Sequence, residues 1–176
     1  GINFESDDSL NDDKDVLAID AVNVTSNMAG SSGGGAYIRH VTQKVQISRS
    51  AFEDNEAEEN GGGVAHLGTS TQLFVNESLF LNNEATAGAG LHVQDSDASL
   101  AGGQVWVSSS HFENNMAVRR GGGIYTSVGF VHMSDSSAHE NVANADGGGM
   151  FSHGFSCAEK KCVSQINCIL GTVDDK

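Results

Sequence analysis

Two carboxylates, Asp95 and Asp97, precede a pair of cations, Arg119 and Arg120. Carboxylates that converge with a basic group beside a groove could serve acid–base chemistry or hold a calcium ion. Their setting argues against that chemistry. Asp95 and Asp97 fall in the polar stretch "DSDASLAGG" at 95–103, which reads as an outward loop. Arg119 and Arg120 take places that Glu59 and Asn60 hold in an earlier, similar segment. No catalytic residue is assigned, and the chain is not expected to be an enzyme.

The metal-binding residue types are no better arranged. His66 and His92 follow successive glycine clusters, while His111 and His132 sit at outward strand positions. No third ligand is fixed for any pair, so these read as surface histidines, with no metal site and no cofactor. Asp7, Asp8, Asp12, Asp13, Asp15 and Asp20 lack the spacing and the glycine of a calcium loop. They read as a solvated arm with, at most, weak calcium binding. Cys157, Cys162 and Cys168 do not form a zinc pattern with His153. Two readings stay open: a Cys157–Cys162 disulfide closing a small loop, or three ordinary thiols. Asn23 in "NVT" and Asn76 in "NES" head glycosylation sequons, which makes a glycan a candidate modification.

Composition narrows the partners. Among 176 residues there are 9 basic and 23 acidic side chains, for a net charge of −14. Such a field repels nucleic acid. No apolar run reaches membrane-spanning length, and no signal peptide is visible. The chain does not begin with Met and reads as a mature product or an excised segment. The sequons and the cysteine cluster point to an extracellular or cell-surface location.

What must position these residues is a repeat. "FEDNEAEENGGGV" at 52–64 returns as "FLNNEATAGAGL" at 80–91 and "FENNMAVRRGGGI" at 112–124, with weaker copies at 24–36 and 138–150. The anchoring asparagines are Asn27, Asn55, Asn83, Asn115 and Asn141, at steps of 28, 28, 32 and 26. The long step places an insertion in 95–103. Upstream of each asparagine, apolar residues alternate with polar ones, as in Val45 and Ile47 against Gln46 and Ser48. This is the two-residue period of a strand. The glycines and serines do not suit helices. A four-stranded propeller blade needs more residues than one repeat holds.

The remaining architecture is an all-β, single-stranded parallel β-helix, a solenoid of about five coils, each with two or three short strands. Like residues then stack in files: Leu17/Val45/Leu73/Val105/Val131, Ile19/Ile47/Val75/Val107/Met133, Val24/Phe52/Phe80/Phe112/Ala138 and Ala36/Val64/Leu91/Ile124/Met150. Asparagine amides can donate and accept along the axis. Within each glycine cluster, Gly62 and Gly122 are expected to relieve crowding, since Ala89 replaces the middle glycine of the third copy. Gly61, Gly63, Gly121 and Gly123 are expected to take unusual dihedrals. Residues 1–15 read as an acidic entry segment or the end of a preceding coil, 16–152 as the repeats, and 153–176 as a cysteine-containing terminal coil or tail.

The pattern F-x-x-N-x-A followed by GGG and an apolar residue resembles the repeats of chlamydial polymorphic outer membrane proteins. Similar repeats occur in secreted, pectate-lyase-like β-helix proteins. The resemblance is carried by Phe52, Asn55, Ala57 and Gly61 to Gly63; by Phe80, Asn83, Ala85 and Gly90; and by Phe112, Asn115, Ala117 and Gly121 to Gly123. The first and last copies depart from it at Val24 and Ala138. It implies a right-handed parallel β-helix with a surface-exposed, adhesive or structural role. The expected function is a non-catalytic structural or adhesive segment of a larger secreted or cell-surface protein. Its ends would meet further coils or a protein partner. The alternatives are a carbohydrate-binding module, with Tyr37 and Tyr125 as a contact surface, or a polysaccharide lyase, hydrolase or epimerase.

Overall fold

The computed structural model describes residues 1–5, 16–39, 44–68, 72–95, 103–128, 130–152 and 166–169. Cys157, Cys162, Asp97 and most of the acidic arm lie outside these residues. The described residues form strands, turns and bends, with no helix among them. Among the described residues, no helix is long and apolar enough to cross a membrane.

Four parallel sheets run along one axis. Sheet 1 holds Val16–Asp20, Lys44–Ser48, Gln72–Asn76, Gln104–Ser108, Phe130–Ser134 and Ile166–Ile169. Sheet 2 holds Asn23–Thr25, Ala51–Glu53, Leu79–Leu81, His111–Glu113 and Ser137–His139. Sheet 3 holds Met28–Ala29, Glu56–Ala57, Glu84–Ala87, Met116–Arg120 and Val142–Ala143. Sheet 4 holds Ile2–Glu5, Ala36–Arg39, Val64–Gly68, Leu91–Asp95, Ile124–Thr126 and Met150–Ser152. The chain visits the sheets in this order and returns, so five four-strand coils meet across four junctions. Ile2–Glu5 pairs beyond the first coil and Ile166–Ile169 beyond the fifth.

The four strands per coil correct the expectation of two or three. Each coil breaks at corners where the backbone enters the left-handed region. The first corner, between sheets 1 and 2, holds Ala21, Arg49, Glu77, Ser109 and Asp135 at φ 48–54°. The second, between sheets 2 and 3, holds Ser26, Asp54, Asn82, Asn114 and Glu140 at φ 53–56°. The third holds Gly33, Gly61, Gly88, Gly121 and Gly147 at φ 60–73°. The third-to-fourth step is four residues longer because the return from sheet 4 to sheet 1, between Leu91–Asp95 and Gln104–Ser108, gains about five residues while the glycine corner of that coil loses one.

The core is the set of stacked files. Leu73 pairs in register with Val45 and Val105, and Val75 with Ile47 and Val107. Phe80 lies between Phe52 and Phe112, with ring centroids 5.2 and 4.5 Å away and planes within 13°. All three rings are fully buried. No coil could cover its own apolar face, so burial is shared between neighbours, at about 1.5–3 kcal/mol for a fully buried side chain. A smaller cluster joins Ala57, Ala85 and Ala117 of sheet 3 to Ala89 at the third corner.

Side chains close the other two corners. Ser78 Oγ donates to the carbonyl of Asn76 (2.8 Å) and accepts from the Ser50 amide (3.3 Å). Ser110 repeats this toward Ser108 and Ser78. At the second corner Asn55 Nδ2 donates to Asn83 Oδ1 (3.1 Å), Asn83 Nδ2 to Asn115 Oδ1 (2.9 Å) and Asn115 Nδ2 to Asn141 Oδ1 (2.8 Å). Asn27 enters the same ladder through Asn55 Oδ1 (3.0 Å). Each backbone amide of Asn27, Asn55, Asn83 and Asn115 donates to the same oxygen on the next coil. At the third corner the dihedral expectation holds for Gly61 and Gly121 and fails for Gly63 and Gly123. Those two face the next coil instead: a Cβ on Gly63 would sit 2.5 Å from the Gly90 carbonyl, and one on Gly123 2.5 Å from that of Gly149. Crowding also rules at Gly62 and Gly122, against the Glu84 and Val142 carbonyls.

Candidate functional site

The residues that define the repeat point inward or along the axis. Whatever the molecule recognises must therefore meet the outward positions, which differ from coil to coil. Three outward regions stand out: two aromatic files and a groove along the second corner.

The first file lies on sheet 1. Phe74 pairs in register with Trp106, and their rings stack 4.5 Å apart, 2° from parallel. Lys44 Nζ sits 4.5 Å from the other face of the file at Phe74. Phe130 continues beyond Trp106 at 6.0 Å, tilted by 56°. All three rings are half-buried. The second file lies on sheet 4. Tyr125 stacks between His92 (4.6 Å) and Phe151 (5.5 Å), and Arg120 lies over Phe151 (5.0 Å). Stacking consumes ring faces, so Trp106 and Tyr125 offer solvent mainly their edges. Tyr37 is half-buried in the same outward file, between Asn3 and Ala65 in register.

The sequence reading flagged Tyr37 and Tyr125 and missed Phe74, Trp106 and Phe130. The outward position of that second set follows from its alternation with Val45/Ile47-type residues. Its rings fall in adjacent coils only once the register is known.

Two histidines differ from expectation. His66 and His92 are buried rather than at the surface, and they do not approach as a pair. The third glycine cluster is one residue closer to its predecessor, so His92 pairs with Ala65 and His66 with Val93. They therefore occupy opposite faces of sheet 4. His66 points inward, 2% exposed, in the file Ile38/His66/Val93/Thr126. Neither ring nitrogen has a hydrogen-bond partner among the described residues. Burial lowers its pKa to about 4. Burial also lowers His92 to about 4, against the opposing pull of a hydrogen bond to Gln94 and the Ala87 backbone. His111 is exposed, with Nδ1 2.8 Å from Ser137 Oγ, and His132 is half-buried beside Phe130.

Of the residues weighed for catalysis, Arg120 Nε donates to Asp146 Oδ2 (2.9 Å). Asp95 ends a strand of sheet 4. Among the described residues, no three His, Cys, Asp or Glu side chains are grouped to hold a metal ion. Of the sequon asparagines, Asn23 is exposed at the start of a sheet 2 strand. Asn76 is half-buried and its Oδ1 accepts from Ser108 Oγ (2.8 Å). Cys168 lies in the sheet 1 strand that pairs with Phe130–Ser134.

The groove has a volume of about 600 Å³ and follows the second corner onto sheet 3. Its walls carry Asp54, Glu56, Glu84 and Glu140, with Met116 and Val142 at one end. No lysine, arginine or histidine lines it.

No curated protein and no solved structure matches the chain. One family model does, over the stretch that runs from the first corner through the Phe, Asn and Gly positions into sheet 4. Residues 109–127 match the Chlamydia polymorphic membrane protein (Chlamydia_PMP) repeat, and the parallel solenoid built from five such units fits that repeat.

Proposed function

We propose that the chain is a non-catalytic, adhesive or structural segment of a secreted or cell-surface protein. One observation carries this reading. The recurring Asn, Ser, Phe and Gly residues are spent between coils, while the outward residues follow no common repeat along the axis. Met28, Glu56, Glu84, Met116 and Val142 occupy one outward file. A repeating rod thus displays a non-repeating surface, which suits contact over a length better than chemistry at a point. The match to a membrane-protein repeat supports the surface location.

The test uses beads coated with the folded chain, the urea-unfolded chain or albumin, applied to cultured cell monolayers. Adhesion by the folded coat alone is expected. Equal retention of all three coats would remove the adhesive reading. Release of unsaturated or reducing sugar ends from polygalacturonate or alginate would overturn the non-catalytic one.

Carbohydrate binding is the second reading, supported by the half-exposed Phe74–Trp106–Phe130 file. Trp106 is the only tryptophan, so its emission reports directly on that face. A saturable change on adding oligosaccharide would favour this reading. An unchanged spectrum across neutral and acidic glycans would remove it.

A further inference from the structure

We propose that the groove along the second corner docks an extended polypeptide segment with basic residues at one end and apolar residues at the other. The inference deepens the adhesive reading and rests on it, because it names the chemistry of the partner.

From the second coil to the fifth the outward face of sheet 3 is divided along the axis, with Met28 of the first coil, 78% exposed, lying before the acidic part. In the second and third coils it carries Glu56 and Glu84, paired in register and exposed, with Asp54 beside them. Like charges on adjacent strands repel, and no cation lines this part of the groove. In the fourth and fifth coils the same file becomes Met116 and Val142, also paired in register. They are 48% and 41% exposed, and Val118 beside them is 61% exposed. These three are among the most exposed large apolar side chains described. Glu140, at the far rim, already faces His139 at 3.5 Å.

An occupant lying along the axis would therefore set its cations on Asp54, Glu56 and Glu84 and its apolar groups on Met116, Val118 and Val142. The first two would relieve the repulsion between stacked carboxylates. The second would remove apolar surface from water, and methionine adapts its shape to such contacts. From Glu56 to Val142 is three coil steps, about 14 Å. That distance fits about four extended residues. A short extended segment with cations toward one end and apolar residues toward the other matches both the length and the charge pattern. A metal ion would use only the acidic half of the face, and a small anion or an acidic sugar would be repelled by it.

The probe is a capped, fluorescein-labelled peptide, Lys-Lys-Ser-Leu-Leu, followed by anisotropy at low salt. Saturable binding to the whole chain is expected. Affinity should fall about tenfold for the Glu56→Gln/Glu84→Gln variant, and about tenfold for Met116→Ser/Val142→Thr. All four positions are exposed, and thermal unfolding of each variant checks that the fold is retained. Replacing the leucines by serine, or the lysines by glutamate, should abolish binding. The proposal is overturned if the serine peptide binds as well as the parent, which reduces the effect to charge alone. It is also overturned if either variant binds unchanged. Light scattering that shows a dimer lost in Met116→Ser/Val142→Thr would assign the face to a second copy and overturn it too. Failure of the peptide beside successful bead adhesion would sink this groove and leave the adhesive reading standing.

Discussion

Asparagine holds the second corner because it both donates and accepts from one planar group. Asn83 shows the full set. Its Oδ1 accepts from the Asn55 amide and from Asn55 Nδ2, both at 3.1 Å. Its Nδ2 donates to the Phe52 carbonyl and to Asn115 Oδ1, both at 2.9 Å. Aspartate would keep the accepting half and lose both donors. It would also hold a carboxylate oxygen against two other oxygens at a fully buried position. Asn83→Asp is expected to destabilise the fold by about 3–5 kcal/mol. At Asn141 the side chain donates only to the Phe112 carbonyl (2.8 Å) among the described residues, while its oxygen still serves Asn115. Asn141→Asp is therefore expected to cost markedly less. Urea unfolding of the two variants gives the comparison, and equal losses would refute the directional ladder.

At the scale of the element, each corner asks for a left-handed residue, and the chain meets this unevenly. The third corner uses glycine, and three of the five residues at the second, Asp54, Asn82 and Asn114, are types that tolerate this region. The first corner places Arg49 and Glu77 there. For such residues the conformation costs about 1–2 kcal/mol. Glu77 is exposed, with its backbone amide bonded to the Ser108 carbonyl. Glu77→Gly keeps that bond and relieves the strain, offset in part by the greater freedom of glycine in the unfolded chain. A net gain of about 0.5–1 kcal/mol is expected, larger than for Asn82→Gly. A fall in melting temperature for Glu77→Gly would contradict it.

The strand interiors behave differently. Phe80→Ala should cost about 3–5 kcal/mol. Phe112→Ala should cost about 1 kcal/mol less, because Phe112 has one stacked ring neighbour rather than two. These two elements also explain what the sequence revealed. Phe52, Phe80 and Phe112 recur as one residue type at one spacing, so their file and the winding it requires are legible. The first corner repeats a backbone angle with Ala21, Arg49, Glu77, Ser109 and Asp135. These residues share no type. The serines beside them, Ser50, Ser78, Ser110 and Ser136, do recur, but serine alone does not mark a left-handed turn, and so a four-strand coil looks like a coil of two or three. The outward groove is illegible for the same reason. Glu56, Glu84, Met116 and Val142 become one surface only through register.

For the whole molecule, the consequence to follow is acid sensitivity. The solenoid closes around His66 in a file otherwise filled by Ile38, Val93 and Thr126, and it covers His92 against Tyr125. Both rings are held neutral, with pKa values lowered from 6.5 to about 4. Above pH 6.5 neither the folded nor the unfolded chain binds these protons, so stability is at its full value. Between about 6.5 and 4 the unfolded chain takes them up and the folded chain does not. Stability must then fall as pH falls, by up to about 3 kcal/mol for each histidine, and level off below about 4. His66→Val places an apolar side chain in an apolar file and removes one of the two contributions. Its stability should exceed that of the parent, and the slope between pH 6.5 and 4.5 should drop by about half. His92→Phe retains a ring against Tyr125 and should remove the other part. Urea midpoints measured across this range for the parent, each variant and the pair provide the check. A double variant with an unchanged pH slope would show that these two buried rings are not the source.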